Sequence, residues 1–121
     1  AVPNRLWNFP SSTKLLIIYP DSESTPAAEK RMWMAITVPS NAKPPKGIRT
    51  MTLEEGLYAV GDFEISPYEF GQAWGFMYRW LSEQGYAPSD SYPFELKKND
   101  SDEHREHKHL VEICIPVVKA D

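Results

Sequence analysis

The chain has 121 residues, enough for one domain, since domains commonly run to about 100–150. Its 41% apolar content supports a real core, whereas 11 prolines predict much loop. A net charge of −4 argues against a free-standing nucleic-acid binder, and no apolar run of about 18 residues exists to span a membrane; the single cysteine, Cys114, excludes an internal disulfide or a cysteine-cluster metal site.

Residues 1–12 carry Pro3 and Pro10 without periodicity and read as a loop or linker remnant. No signal-peptide pattern is visible, which makes the cytosol the expected compartment. The run 14–19 (KLLIIY) is short and β-branched, hence a strand. Turn chemistry follows over 20–26 (PDSESTP), then at most one helical turn over 27–31. A second strand is expected over 32–38, with Trp33, Ala35 and Thr37 on one face and Met34, Ile36 and Val38 on the other. Pro44 and Pro45 make 40–47 a connector. Residues 49–64 read as an extended segment with a turn at 54–56 and a strand over 57–63.

The clearest start signal is Ser66-Pro67-Tyr68-Glu69. Ser66 suits the cap, Pro67 the first helical position, and Glu69 can reach back to the cap residue's N–H. Phe70, Trp74, Met77 and Leu81 follow at spacings of four, three and four, so one helix is expected over 67–84, ended by Gly85 in a left-handed conformation. Gly71 and Gly75 share a face of it, where they allow close approach by a strand or a ligand. Strands are expected over 94–98 and 110–117, joined by the polar loop 99–109.

The order strand, acidic turn, polar stretch, strand occurs twice, over 13–38 and again over 93–118, with Asp21 corresponding to Asp100 and Ile36 falling near Ile115. The expected fold class is therefore α+β, made of duplicated βαββ modules with an antiparallel sheet and one long helix. Residues 13–39 form a partial first repeat lacking its leading strand and helix, and 48–118 a complete second one, within a single domain.

The ordered segments Gly56-Leu-Tyr-Ala-Val-Gly-Asp-Phe, Ser66-Pro-Tyr-Glu, Tyr78-Arg-Trp-Leu-Ser-Glu-Gln-Gly-Tyr86, Pro93-Phe-Glu-Leu, Asn99-Asp and Glu112-Ile-Cys-Ile-Pro-Val117 resemble the GyrI-like small-molecule-binding family. That family includes effector-binding domains of AraC-type and MerR-type transcription regulators and stand-alone gyrase-modulating proteins. The resemblance implies two modules whose helices frame a cleft over the sheet, where a buried strand acid holds the charge of amphipathic cationic ligands. Glu112 matches that acid, while Trp33 stands where relatives often carry an acidic residue. The absent strand and helix leave three readings open: a short variant, parts lying outside this sequence, or a second chain supplying the helix in a homodimer. A DNA-binding domain would have to lie upstream, because no helix-turn-helix is encoded here.

Glu112 is the first candidate ligand-binding residue, because a carboxylate on an otherwise apolar strand needs a partner. A ligand cation, an internal partner such as Arg79 or Tyr78, or an exposed strand face would each satisfy it. Trp33, Tyr58, Trp74, Tyr78, Trp80 and Tyr92 are candidate walls, since aromatic faces attract cations and stack planar ligands. For each of them core packing is the stronger reading, Trp74 above all, whereas Tyr58 and Trp33, on strands expected to floor the cleft, suit the pocket best. The triplet His104, His107 and His109 sits in a loop of alternating charge without metal-site spacing, and Cys114 is expected buried and inert. No phosphate loop, nucleophile elbow or cofactor motif occurs, so no metal or cofactor is expected. Binding rather than catalysis is the expectation. Two alternatives stand: a protein-interaction module modulating DNA gyrase through its acidic loop, and a hydrolase of cyclopropane-bearing natural products using Glu112 as acid or base.

Overall fold

A computed structural model describes residues 14–21, 25–39, 41 and 43–120; the expected leading loop over 1–12 lies outside them. Among the described residues six strands and one α-helix are formed, an α+β architecture as expected. The strands are β1 (Leu15–Ile18), β2 (Trp33–Ile36), β3 (Tyr58–Ile65), β4 (Tyr86–Pro88), β5 (Phe94–Lys97) and β6 (His109–Lys119), and α1 is Phe70–Glu83. The main sheet runs β2-β1-β5-β6-β3, antiparallel at every junction. The short β4 was not anticipated; it follows Gly85 directly and pairs with the end of β6, Pro88 opposite Val117.

Helix initiation follows the sequence signal closely. The Ser66 N–H donates to Glu69 Oε1 at 2.8 Å, a bond that holds the Glu69 carboxyl below its ordinary range. Pro67–Glu69 forms a 3-10 turn, so the α-helix proper begins three residues later than expected. Gly85 takes φ +79° just beyond it, a conformation with no steric cost only for glycine.

Residues directly opposite one another in paired strands share a face. On the face carrying α1, Val111, Ile113, Ile115 and Val117 of β6 and Ala59 and Ile65 of β3 enclose Ala73, Met77 and Leu81. Burying a side chain such as Leu81 contributes about 1.5–3 kcal/mol. Gly61 sits below the helix, and a Cβ there would lie 2.5 Å from Met77 Sδ. Its missing side chain is what lets α1 lie against β3. Gly71 and Gly75, by contrast, meet nothing within 4 Å and are exposed, so they serve no helix-on-sheet contact. They fall on the helix stripe beside Trp74 and Tyr78, which looks away from β6.

That side is open. The register places Met34, Ile17, Glu95 and Ile113 in one row on the α1 face, with Ile36, Leu15, Lys97 and Val111 in the next. The β6 end of each row lies under α1, whereas Met34 and Ile36 are 75% and 41% exposed. On the opposite face Leu16, Ile18 and Cys114 are buried, and the connector crosses there: Arg49 stacks over Trp33 and the Tyr58 hydroxyl donates to the Glu54 carbonyl.

Candidate functional site

Strand β5 carries the sequence Phe-Glu-Leu-Lys, which by alternation sends Phe94 and Leu96 to one face and Glu95 and Lys97 to the other. Glu95 lands beneath the edge of α1. It is 2% exposed, the one buried charged side chain among the described residues. Removing an ionised carboxylate from water costs several kcal/mol unless donors replace the lost solvent. Three donors do so. The Tyr19 hydroxyl donates to Glu95 Oε2 at 2.8 Å, the Trp74 indole N–H to the same oxygen at 2.6 Å, and Lys97 Nζ approaches Oε1 at 3.4 Å. Hydrogen bonds to a charged group contribute about 1.5–3 kcal/mol each, so three donors offset much of that cost.

The donors are themselves fixed. Tyr19 meets Trp74 edge-on with ring centroids 5.2 Å apart, and Trp74 stacks on Tyr78 at 6.1 Å and 27°. Burial, and then the neighbouring Glu95 charge, push the Tyr19 phenol well above its ordinary pKa, so it remains a donor across the physiological range.

Tyr19 and Tyr78 also line a cleft of about 470 Å³, together with Asp21, Asp90, Tyr92 and Ile115. Tyr19 thus links the two features: it lines the cleft and its hydroxyl ends on Glu95. Asp21 at the rim is held by Arg31, whose side chain lies 2.9 Å away and whose backbone N–H donates at 2.6 Å; these bonds keep its carboxyl below the usual range. Aromatic walls, with a buried carboxylate bonded to one of them, suit a ligand with a large apolar surface and a positive charge.

The residues expected to form the site divide between the sheet faces. Trp74 and Tyr78 come together on the α1 face at Glu95. Glu112 lies on the other face, opposite Asp62 and Leu96, with its side chain 28% exposed and Lys98 Nζ 3.7 Å away. Its nearby cation is thus Lys98. Trp33 and Tyr58 share that face: the Arg31 and Arg49 guanidinium groups lie over the Trp33 ring at 5.6 and 4.9 Å, and Tyr58 packs on Phe94 at 5.8 Å. Tyr92 stands where the two regions meet, edge-on to Trp33 at 5.6 Å while lining the α1-side cleft. It also borders a smaller hollow of about 210 Å³ with Met51, Leu53, Glu54 and Tyr58.

Glu95 and Tyr19 escaped sequence reasoning. A strand reading Phe-Glu-Leu-Lys looks half-buried with its charges outward, yet here Glu95 is the buried residue and its strand neighbours are half-buried. One signal was available: Trp74 on the apolar face of the helix brings an indole N–H into the core, and such a donor needs an acceptor.

Elsewhere, His104 Nε2 lies 3.1 Å from Glu64 and its Nδ1 accepts from the Glu106 N–H. No three His, Cys, Asp or Glu side chains among the described residues are grouped to hold a metal ion. Cys114 is buried, and desolvation pushes its thiol up to about 12. No helix among the described residues is long and apolar enough to cross a membrane.

The sequence model of the GyrI-like small-molecule-binding domain matches residues 4–118. A protein of Yersinia enterocolitica described as a DNA gyrase inhibitor is 27% identical over 99 residues, covering 78% of this chain and 63% of that protein. The chain therefore spans less than two thirds of that relative's length.

Proposed function

This chain belongs to the GyrI-like small-molecule-binding family, and from that premise we propose that it takes up amphipathic aromatic cations in the cleft between Tyr19 and Tyr78. The observation that carries the proposal is Glu95, a carboxylate withdrawn from water and bonded to the hydroxyl of Tyr19, which lines the cleft. A ligand cation lying against the Tyr19 and Tyr78 rings gains cation–π attraction of about 0.5–2 kcal/mol per ring, strengthened where water is excluded. It also feels the Glu95 charge through a poorly screening interior. In the cell this is the work of a cytoplasmic sensor, either the effector-binding part of a transcription regulator or a stand-alone drug-binding protein.

Titration with tetraphenylphosphonium, followed by NMR, tests the placement. Resonances of Tyr19, Trp74, Tyr78 and Tyr92 should move together with micromolar affinity. Shifts confined to Trp33, Tyr58 and Glu112 would put the ligand on the other face and overturn the proposal.

A second reading takes its support from the relative described as a DNA gyrase inhibitor. The loop 100–106 exposes Asp102, Glu103 and Glu106, a surface suited to a basic protein partner. Charge reversal of those three residues should abolish co-purification with gyrase on this reading, while Glu95→Gln should leave it intact.

A further inference from the structure

Lys97 is a residue that small-molecule binding alone does not explain. It follows Glu95 by two positions on the same face of β5, with its side chain 20% exposed, and its Nζ stands 3.4 Å from Glu95 Oε1. The same Nζ lies 4.6 Å from the centroid of Phe70, the first residue of α1. A helix N-terminus carries a partial positive charge and is a poor neighbour for an ammonium. What holds Lys97 there is the Glu95 carboxylate, with the Phe70 face as a secondary contact.

The register sets the geometry. Along the α1 face, Tyr19 lies beside Pro93, one row before Glu95, and Lys97 one row after it, so the cleft-lining Tyr19 and Lys97 flank Glu95 on opposite sides. We infer that Lys97 is a built-in counter-ion that competes with the ligand's cation for Glu95, so that it sets the affinity threshold of the site and selects the kind of cation accepted. This inference rests on the Glu95 cleft as the binding site.

The consequence is a specific ligand class. A primary alkylamine offers Glu95 nothing that Lys97 does not already supply, and Lys97 is tethered at high effective concentration. A delocalised aromatic cation differs in two respects. It is weakly hydrated, and it stacks on the Tyr19 and Tyr78 rings, which Lys97 does not line. The ammonium it releases reaches water easily, being already partly exposed on a flexible stem. The site therefore admits large delocalised cations and excludes simple amines, and it does so without a steric filter.

The test uses two fluorescent probes, rhodamine 6G as a delocalised cation and Nile red as a neutral planar dye, with hexylamine as a competitor. Lys97→Met should tighten rhodamine 6G by roughly three- to fivefold, the scale of losing one partly exposed ion pair of about 1 kcal/mol as competitor. Nile red should change less than about twofold, as its binding involves no counter-ion exchange. Lys97→Arg, which keeps the positive charge, should bind rhodamine 6G as the wild type does. Hexylamine should compete with rhodamine 6G in Lys97→Met and fail to in the wild type. Adding Glu95→Gln to Lys97→Met should remove the gain.

If Glu95→Gln weakens rhodamine 6G yet Lys97→Met leaves it unchanged or weaker, the counter-ion role is overturned and the Glu95 cleft survives. If rhodamine 6G is indifferent to both substitutions, the cleft reading falls as well. A second readout needs no variant. Saturating rhodamine 6G should raise the acetylation of Lys97 by sulfosuccinimidyl acetate, measured by peptide mass spectrometry against Lys46 as an exposed reference, and unchanged or lowered labelling would overturn the inference.

Discussion

Replacing Trp74 with Phe probes the network that holds Glu95 in the interior. The substitution removes the indole N–H, 2.6 Å from Glu95 Oε2, and part of the ring that meets Tyr19 and Tyr78. A hydrogen bond to a charged group contributes about 1.5–3 kcal/mol, and the lost ring volume adds about 1 kcal/mol, giving a destabilisation of roughly 2–4 kcal/mol. For a domain of this size each kcal/mol moves the midpoint by about 3–5 °C, so Tm should fall by roughly 10 °C. Packing loss alone could cause some of this, and a double-mutant cycle separates the two. In a Glu95→Gln background the acceptor keeps its shape and loses its charge, and a bond between neutral partners contributes only about 0.5–1.5 kcal/mol. The Trp74→Phe cost in that background should therefore shrink by about 1 kcal/mol. Urea unfolding of the four proteins supplies the cycle. Additivity within about 0.3–0.5 kcal/mol would show that Trp74 acts through packing and that its bond to the charge contributes little.

The remaining predictions concern stability and accessibility. Gly61→Ala drives a methyl group to within 2.5 Å of Met77 Sδ and should cost about 1–3 kcal/mol in urea unfolding. Gly71→Ala and Gly75→Ala meet no neighbour on an exposed helix stripe, and each should raise stability by about 0.5–1 kcal/mol. The Cys114 thiol, buried and pushed up to about 12, should resist Ellman's reagent at pH 8 in the native state and react at once in 8 M urea, as about that concentration unfolds most small domains. Both Cys114 and Tyr19 have folded-state pKa values raised above their ordinary 9.0 and 10.0, so the unfolded chain ionises first. Their contribution is complete below about pH 9 and is lost as pH rises beyond it; Tyr19→Phe should make the decline above pH 10 shallower, as read by urea midpoints.

The parts of this protein that were legible in its sequence are those governed by local chemistry. Ser66, Pro67, Glu69 and Gly85 punctuate the helix through bonds and dihedral preferences lying within a few residues, and the apolar spacing of Phe70, Met77 and Leu81 fixes the face it buries. The strand positions followed for the same reason, while the three-residue β4 was too short for any periodicity to show. The site depends on something the alternation of one strand does not encode, namely which sheet face the helix covers. Glu112 and Glu95 each sit among apolar neighbours in sequence. Their burial differs because Glu95 pairs across to Ile113 on the α1 face, whereas Glu112 pairs to Asp62 and Leu96 on the other. Gly71 and Gly75 show the same dependence, since a helix face crowded in one arrangement of strands is open in this one.

The central claim is that the cleft's working charge belongs to Glu95. The direct measurement is the affinity of rhodamine 6G for Glu95→Gln and for Glu112→Gln, compared by fluorescence anisotropy at low ionic strength. Glu95→Gln should weaken binding by at least about tenfold, the loss expected when a desolvated charge interaction of about 1.4 kcal/mol disappears, with Glu112→Gln within about twofold of wild type. The reverse order, with Glu112→Gln weakening the dye and Glu95→Gln leaving it unchanged, would contradict the account.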